Sequence, residues 1–197
     1  MDHDRSPQFS LDGMAAQQPN DRLFLAVFPD AETASRIAAL AQSLRSELGL
    51  QGKPLRADRL HVTLHHLGDH IGLRHDIVAD ATNAAARLAS SAFDIVFDRV
   101  GSFAGRTRNQ PCVLLGDQGL VSLAAMQREL GERMKLAGLS RWVGKAFTPH
   151  VTLLYDDRNV PIQPIEPITW TVREFVLVHS LIGRTEHRIL GRWPLRT

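Results

Sequence analysis

The chain has 197 residues, 44% of them hydrophobic and 22% charged, ordinary globular values that exclude a wholly disordered or fibrous protein. Twenty-three Lys and Arg stand against 21 Asp and Glu, a formal +2 that suits an anionic ligand but is too small for a nucleic-acid coat protein. The single cysteine, Cys112, excludes an intramolecular disulfide and a thiolate metal cage, and no apolar run approaches the roughly 18 residues of a membrane span.

Residues 1–20 carry no periodicity and read as a flexible tail ahead of one bilobal domain over 21–197. The charged start, Met1-Asp2-His3-Asp4-Arg5, leads into no apolar run, so a cytoplasmic protein is expected rather than a secreted one. Leu23 to Phe28 is a short apolar run, the pattern of a buried strand. Asp30 then caps a helix on which Ile37, Leu40, Ala41, Leu44 and Leu48 recur at helical spacing until Gly49 stops it. A strand over Leu60–Leu67 and a helix over about Arg74–Leu88 follow. Phe93, Ile95 and Phe97 alternate with acidic residues as in a half-exposed strand, and Cys112–Leu115 reads as its partner. Leu120, Leu123, Met126, Leu130 and Met134 mark a third helix ending at Gly138, ahead of a strand over Phe147–Tyr155. Pro161, Pro164 and Pro167 stiffen a connection to a closing hairpin, Ile168–Ile182 with His187–Leu195, turning at Gly183-Arg184. The predicted class is α+β with mainly antiparallel sheet.

The word His-Val-Thr-Leu occurs twice, at 61–64 and 150–153, and in each copy a helix-stopping glycine lies twelve residues before the histidine. Both halves read strand, helix, glycine, histidine strand, which points to internal duplication. On a strand, alternate side chains share a face. His61 and Thr63 therefore stand together, with Cα atoms about 6.5–7 Å apart, while Val62 and Leu64 enter the core. His150 and Thr152 repeat the arrangement, with Val151 and Leu153 inward.

Two imidazoles and two hydroxyls offered to one tetrahedral anion suit phosphodiester chemistry. A neutral histidine takes a proton from water while a protonated one gives a proton to the leaving oxygen. The threonine hydroxyls donate to the oxygens on which charge builds. One lone His-x-Thr would be read as structural; two copies at matching places reverse that reading. Metal binding by His61 and His65 is disfavoured, because on a strand they are about 13 Å apart. Strand parity puts His65 at the rim of the site. His66, His70, His75, His179 and His187 take structural or surface readings, and His3 lies in the tail.

These residues resemble the two-histidine phosphoesterases, and among them the bacterial RNA 2′,3′-cyclic phosphodiesterases, also called 2′-5′ RNA ligases. The likeness covers about residues 22–195. It is carried by Arg22 to Val27, by Asp58-Arg59-Leu60-His61-Val62-Thr63-Leu64 through Leu67-Gly68, by Phe147-Thr148-Pro149-His150-Val151-Thr152-Leu153, and by Arg192-Trp193-Pro194-Leu195 near the end. The resemblance implies two pseudo-symmetric lobes of mainly antiparallel sheet flanked by helices, with the site in a central groove. It implies hydrolysis of RNA 2′,3′-cyclic phosphate ends to 2′-phosphates, with no metal and no other cofactor. In that reading His61 is the proton donor to the leaving oxygen, His150 the proton acceptor, and Thr63 and Thr152 bind the phosphoryl oxygens. The partners expected are RNA ends or nucleotides bearing a cyclic phosphate, with no membrane and no obligate protein partner. Tyr155 stands where family members often carry an arginine, so it becomes a candidate substrate-binding residue, and the phosphate's counter-charge is expected from Lys145, Arg106 or Arg108. Phe24, Phe28 and Tyr155 are candidates to stack on a base, although the first two also read as core. Rival readings are reversible 2′-5′ RNA ligation, hydrolysis of other cyclic nucleotides or 2′-5′ oligonucleotides, and a non-catalytic RNA-end binding module.

Overall fold

The structure is a computed structural model that describes residues 18–103 and 108–197. Most of the expected tail, residues 1–17, lies outside the described residues. Asn20 belongs to the fold: its N–H donates to the His70 carbonyl (3.0 Å) and its carbonyl accepts from Ile182 N–H (2.9 Å).

Among the described residues eight strands and three α-helices run in the order β1 (Asp21–Val27), α1 (Ala31–Glu47), β2 (Val62–His70), α2 (His75–Ala86), β3 (Phe93–Ser102), β4 (Gln110–Leu115), α3 (Val121–Leu136), β5 (Val151–Asp156), β6 (Gln163–Val172), β7 (Glu174–Leu181) and β8 (Glu186–Pro194), as expected up to β5. Local chemistry explains the boundaries. Asp30 caps α1 by accepting from the Thr33 N–H at 2.8 Å. Gly49 and Gly138, just beyond α1 and α3, have φ of +62° and +86°, a left-handed conformation that suits glycine and ends a helix. Among the described residues no helix is long and apolar enough to cross a membrane.

The strands form two four-stranded antiparallel sheets, ordered β2-β1-β7-β8 and β5-β4-β3-β6. The duplication is visible in those orders. β1-α1-β2 corresponds to β4-α3-β5, and each histidine strand is the edge strand beside the one that precedes its helix. One apolar cluster runs through both halves, from Leu23, Leu25 and Ile37 to Leu114, Leu153 and Met134. Helices cross between the halves: α1 packs against β5 and β6 of the second sheet, and α3 against β2 of the first. The groove walls are thereby held by one shared core.

The closing segment departs from expectation. Ile168–Ile182 is not one strand; the chain changes sheets at Arg173, β6 pairing with β3 and β7 with β1 and β8. The hairpin is β7 with β8. The physical reason is the change in burial: β6 is a half-exposed edge strand, whereas Phe175 to Val178 of β7 are buried on both faces. Pro164 and Pro167 lie within β6 itself, where an edge strand tolerates the missing N–H.

Candidate active site

Each motif histidine stands one residue before its strand, and its ring is held by the backbone. The His61 Nδ1–H donates to the Arg59 carbonyl (2.7 Å) and the His150 Nδ1–H to the Thr148 carbonyl (2.8 Å). A carbonyl only accepts, so the proton of each neutral ring sits on Nδ1 and Nε2 keeps its lone pair. The two histidines share a tautomer and a bond to the residue two positions earlier. That is the duplication expressed in chemistry.

Register then places the threonines. Thr63 lies opposite Ala26, and Thr152 opposite Val113. Val62, Leu64, Val151 and Leu153 are buried as expected. Directly after each threonine the pairing skips a residue: Leu25 faces His65 while Ala26 faces Thr63, and Cys112 faces Leu154 while Val113 faces Thr152. Both histidine strands thus carry a bulge at the motif leucine, and a bulge reverses the alternation beyond it.

This bulge corrects the expectation for His65. It does not sit at the site rim but lies opposite core residue Leu25, 3% exposed, donating from Nε2 to the Gln127 carbonyl of α3 at 2.9 Å. His66, opposite Phe24, takes the site face instead. The same reversal returns Tyr155, three residues after Thr152, to the threonine's face, where it is 43% exposed. Its phenol lies near the Arg22 and Arg59 side chains.

The surroundings set the electrostatics. Phe24, Ala26, Val176 and Val178, with Phe28, form a small apolar floor separate from the main core. The His61 ring stacks on Phe24 (centroids 4.9 Å, 23° between planes) and lies tilted over Phe28 at 5.4 Å. His187 of β8 meets it edge-on at 5.4 Å. The His150 ring meets Phe103 edge-on at 4.8 Å. Burial pushes the His61 pKa down to about 4, and the neighbouring Arg59 and His150 charges act in the same direction. Burial also lowers His150. Both rings are therefore neutral in the free protein at neutral pH.

A cavity of about 480 Å³ is lined by Thr63, Phe103, Ala146, Phe147, Thr148 and His150. It joins a side chain of the first motif to those of the second across 89 residues of sequence separating the two histidines. Among the three cations expected nearby, Lys145 lines a different cavity beside α3, Arg108 is exposed, and Arg106 lies outside the described residues. Sequence reasoning missed Arg59 and His187 as neighbours of His61. Arg59 had a usable signal, since it occupies the position of Thr148 relative to its histidine. His187 had none, because only strand order brings β8 to the site.

Comparison with known proteins agrees with this architecture. The family model described as the 2′-5′ RNA ligase superfamily matches residues 28–183. The chain is 33% identical over 156 residues to the RNA 2′,3′-cyclic phosphodiesterase of Escherichia coli (strain K12), covering 73% of this chain and 80% of that protein. The crystal structure of E. coli LigT in apo form superposes with a TM-score of 0.71 at 27% identity, covering 91% of this chain and 100% of that one. LigT complexed with 3′-AMP gives 0.71 at 28% identity and the same coverage. With 156 residues matched by the family model and a structural likeness over 91% of its length, the chain belongs to the 2′-5′ RNA ligase superfamily.

Proposed function

We propose that the protein is an RNA 2′,3′-cyclic phosphodiesterase, a hydrolase that opens the cyclic phosphate at an RNA or nucleotide end to leave a 2′-phosphate. The observation that carries this reading is the pair of equivalent histidines, each with Nδ1–H tied to the carbonyl two residues earlier and each at the head of an edge strand, with Thr63 of the first motif and His150 of the second lining one cavity. His150 Nε2 takes a proton from water as the water oxygen attacks phosphorus. The phosphorus–O3′ bond breaks, and O3′ receives a proton from the His61 Nε2. Thr63 and Thr152 donate hydroxyl hydrogens to the non-bridging oxygens, where charge builds in the transition state. Tyr155 lies beyond Thr152 on the same face and contacts the nucleotide.

An acid must hold its proton, whereas the buried His61 ring of the free protein gives its proton up readily. A phosphate anion placed against the ring favours the charged form and raises its pKa. Substrate binding therefore loads the acid. In this reading residues 21–197 form the catalytic unit, the substrates are cyclic-phosphate ends of RNA or nucleotides, and the enzyme is cytoplasmic. The deciding experiment incubates the protein in EDTA with 2′,3′-cyclic AMP and with an oligonucleotide ending in a 2′,3′-cyclic phosphate. Turnover to the 2′-phosphate is expected. A 3′-phosphate product, an absolute need for added metal, or binding without turnover would overturn it.

A further inference from the structure

Arg59, two residues before His61, carries a guanidinium that is only partly satisfied. Its Nε and Nη1 are sealed from solvent and make no hydrogen bond, while the residue as a whole remains partly exposed. The neighbouring Asp58 carboxylate is engaged by Arg56, whose Nε and Nη2 donate to it at 3.0 and 2.6 Å. A guanidinium withdrawn from water without a partner gains most from an anion brought to it. A second orphan lies alongside, the buried and unpartnered Nδ1 of His187. The Arg59 charge is felt by both His187 and His61. Unsatisfied polar groups thus gather around the proposed acid, where a folded protein otherwise pairs its buried polar atoms.

We propose that Arg59 is a substrate-binding residue whose guanidinium takes the non-bridging phosphoryl oxygens, supplying the positive charge that the two threonine hydroxyls lack. The identity of the anion rests on the phosphodiesterase reading; the anion site itself rests on the side-chain geometry. The 3₁₀ turn Ala57–Arg59 gives one residue two tasks, its carbonyl orienting His61 and its side chain meeting the phosphate. Arg59 also links binding to proton loading. Its unbalanced charge disfavours imidazolium at His61 in the free protein, and a bound phosphate cancels that field.

The test measures the affinity for inorganic phosphate and the kinetics on 2′,3′-cyclic AMP in Arg59→Gln, Arg59→Met and Arg59→Lys. Every substitution keeps the backbone carbonyl, so the hold on His61 survives. Arg59→Gln and Arg59→Met are expected to weaken phosphate binding and raise KM by roughly ten- to a hundredfold, the range for losing a charge-assisted hydrogen bond. Arg59→Lys is expected to recover part of both. Should Gln destabilise the fold, Met preserves the apolar stem and gives the same readout. Phosphate affinity within twofold of wild type in a folded Gln or Met variant would overturn the proposal, as would an absence of saturable phosphate binding by the wild type. The two readings fail separately. Phosphate binding that depends on Arg59 without turnover of cyclic phosphates would end the phosphodiesterase reading alone.

Discussion

His61 and His150 have the same tautomer, the same backbone partner and opposite proposed tasks, so their difference must come from surroundings. His61 lies among Phe24, Phe28, His187 and Arg59, and His150 beside Phe103. Replacing either by alanine should lower kcat by about 10²–10⁴-fold, the usual contribution of a general acid or base, while circular dichroism stays that of the wild type. Near-normal turnover in either variant would remove its role. The pH dependence follows from the same surroundings. Burial holds both pKa values below the ordinary 6.5, so kcat/KM, which reports the free enzyme, should be bell-shaped with its maximum below that value. The limbs belong to the coupled pair rather than to either ring. In kcat the maximum should move to higher pH, because the bound anion favours imidazolium; identical optima in the two profiles would contradict loading of His61 by substrate.

At the scale of elements, the recurring device is the bulge after each motif threonine, which gives β2 and β5 a polar face at the site and a core face beyond it. A second device ties β5 to the segment that follows α1. The Asp156 carboxylate accepts from the N–H groups of Gln51 (2.6 Å), Gly52 (2.7 Å) and Arg158 (2.9 Å). These backbone donors hold its pKa below the usual carboxylate value. The close approach depends on Gly52, since a Cβ there would lie 1.9 Å from the Tyr155 carbonyl oxygen. Backbone cannot yield as a flexible side chain can. Gly52→Ala should therefore cost about 1–3 kcal/mol in urea denaturation, the range for overpacking. Gly144→Ala, whose added Cβ would have nothing nearer than 3.6 Å, should stay within roughly 0.5 kcal/mol. Equal stabilities for the two variants would show that the loop lifts away from β5 freely.

The molecule as a whole gathers several histidines whose folded environments resist protonation. Burial lowers His61 to about 4 and His187 to about 3, and lowers His65 and His150 as well. In the unfolded chain these rings return to the ordinary value near 6.5 and bind protons that the folded state refuses. Stability should consequently be full above about pH 6.5 and fall as the pH drops from there toward 4. The carboxylates of Asp69 and Asp76, lowered to about 2 by their arginine partners, act only below about pH 4 and do not offset the loss in that window. Urea midpoints at pH 7.5 and pH 5 measure the effect. An unchanged midpoint would mean that the rings accept protons in place. The shared core matters here, because α1 and α3 each pack across to the opposite sheet and opening one wall of the groove disturbs both.

Much of this was legible in the chain itself. The repeated His-Val-Thr-Leu, the matched glycines and the apolar periodicities report local constraints: side-chain alternation, helix capping and left-handed turns are properties of a few neighbouring residues. They sufficed for the helices, the histidine strands and the inward Val and Leu positions. The bulges were not legible, because a bulge depends on how a strand pairs with its neighbour, and they alone moved His65 into the core and Tyr155 to the site face. The sheet change at Arg173 and the arrival of His187 beside His61 are likewise consequences of strand order. The missing partner of Arg59 belongs to the same class, since only the fold settles that Arg56 takes the Asp58 carboxylate and leaves Arg59 without one. Sequence determined which groups can do the chemistry, because that lies in residue type and short spacing. Tertiary structure decided which groups are buried, paired or left unpaired around them, because burial and pairing are set by contacts between segments far apart in the chain.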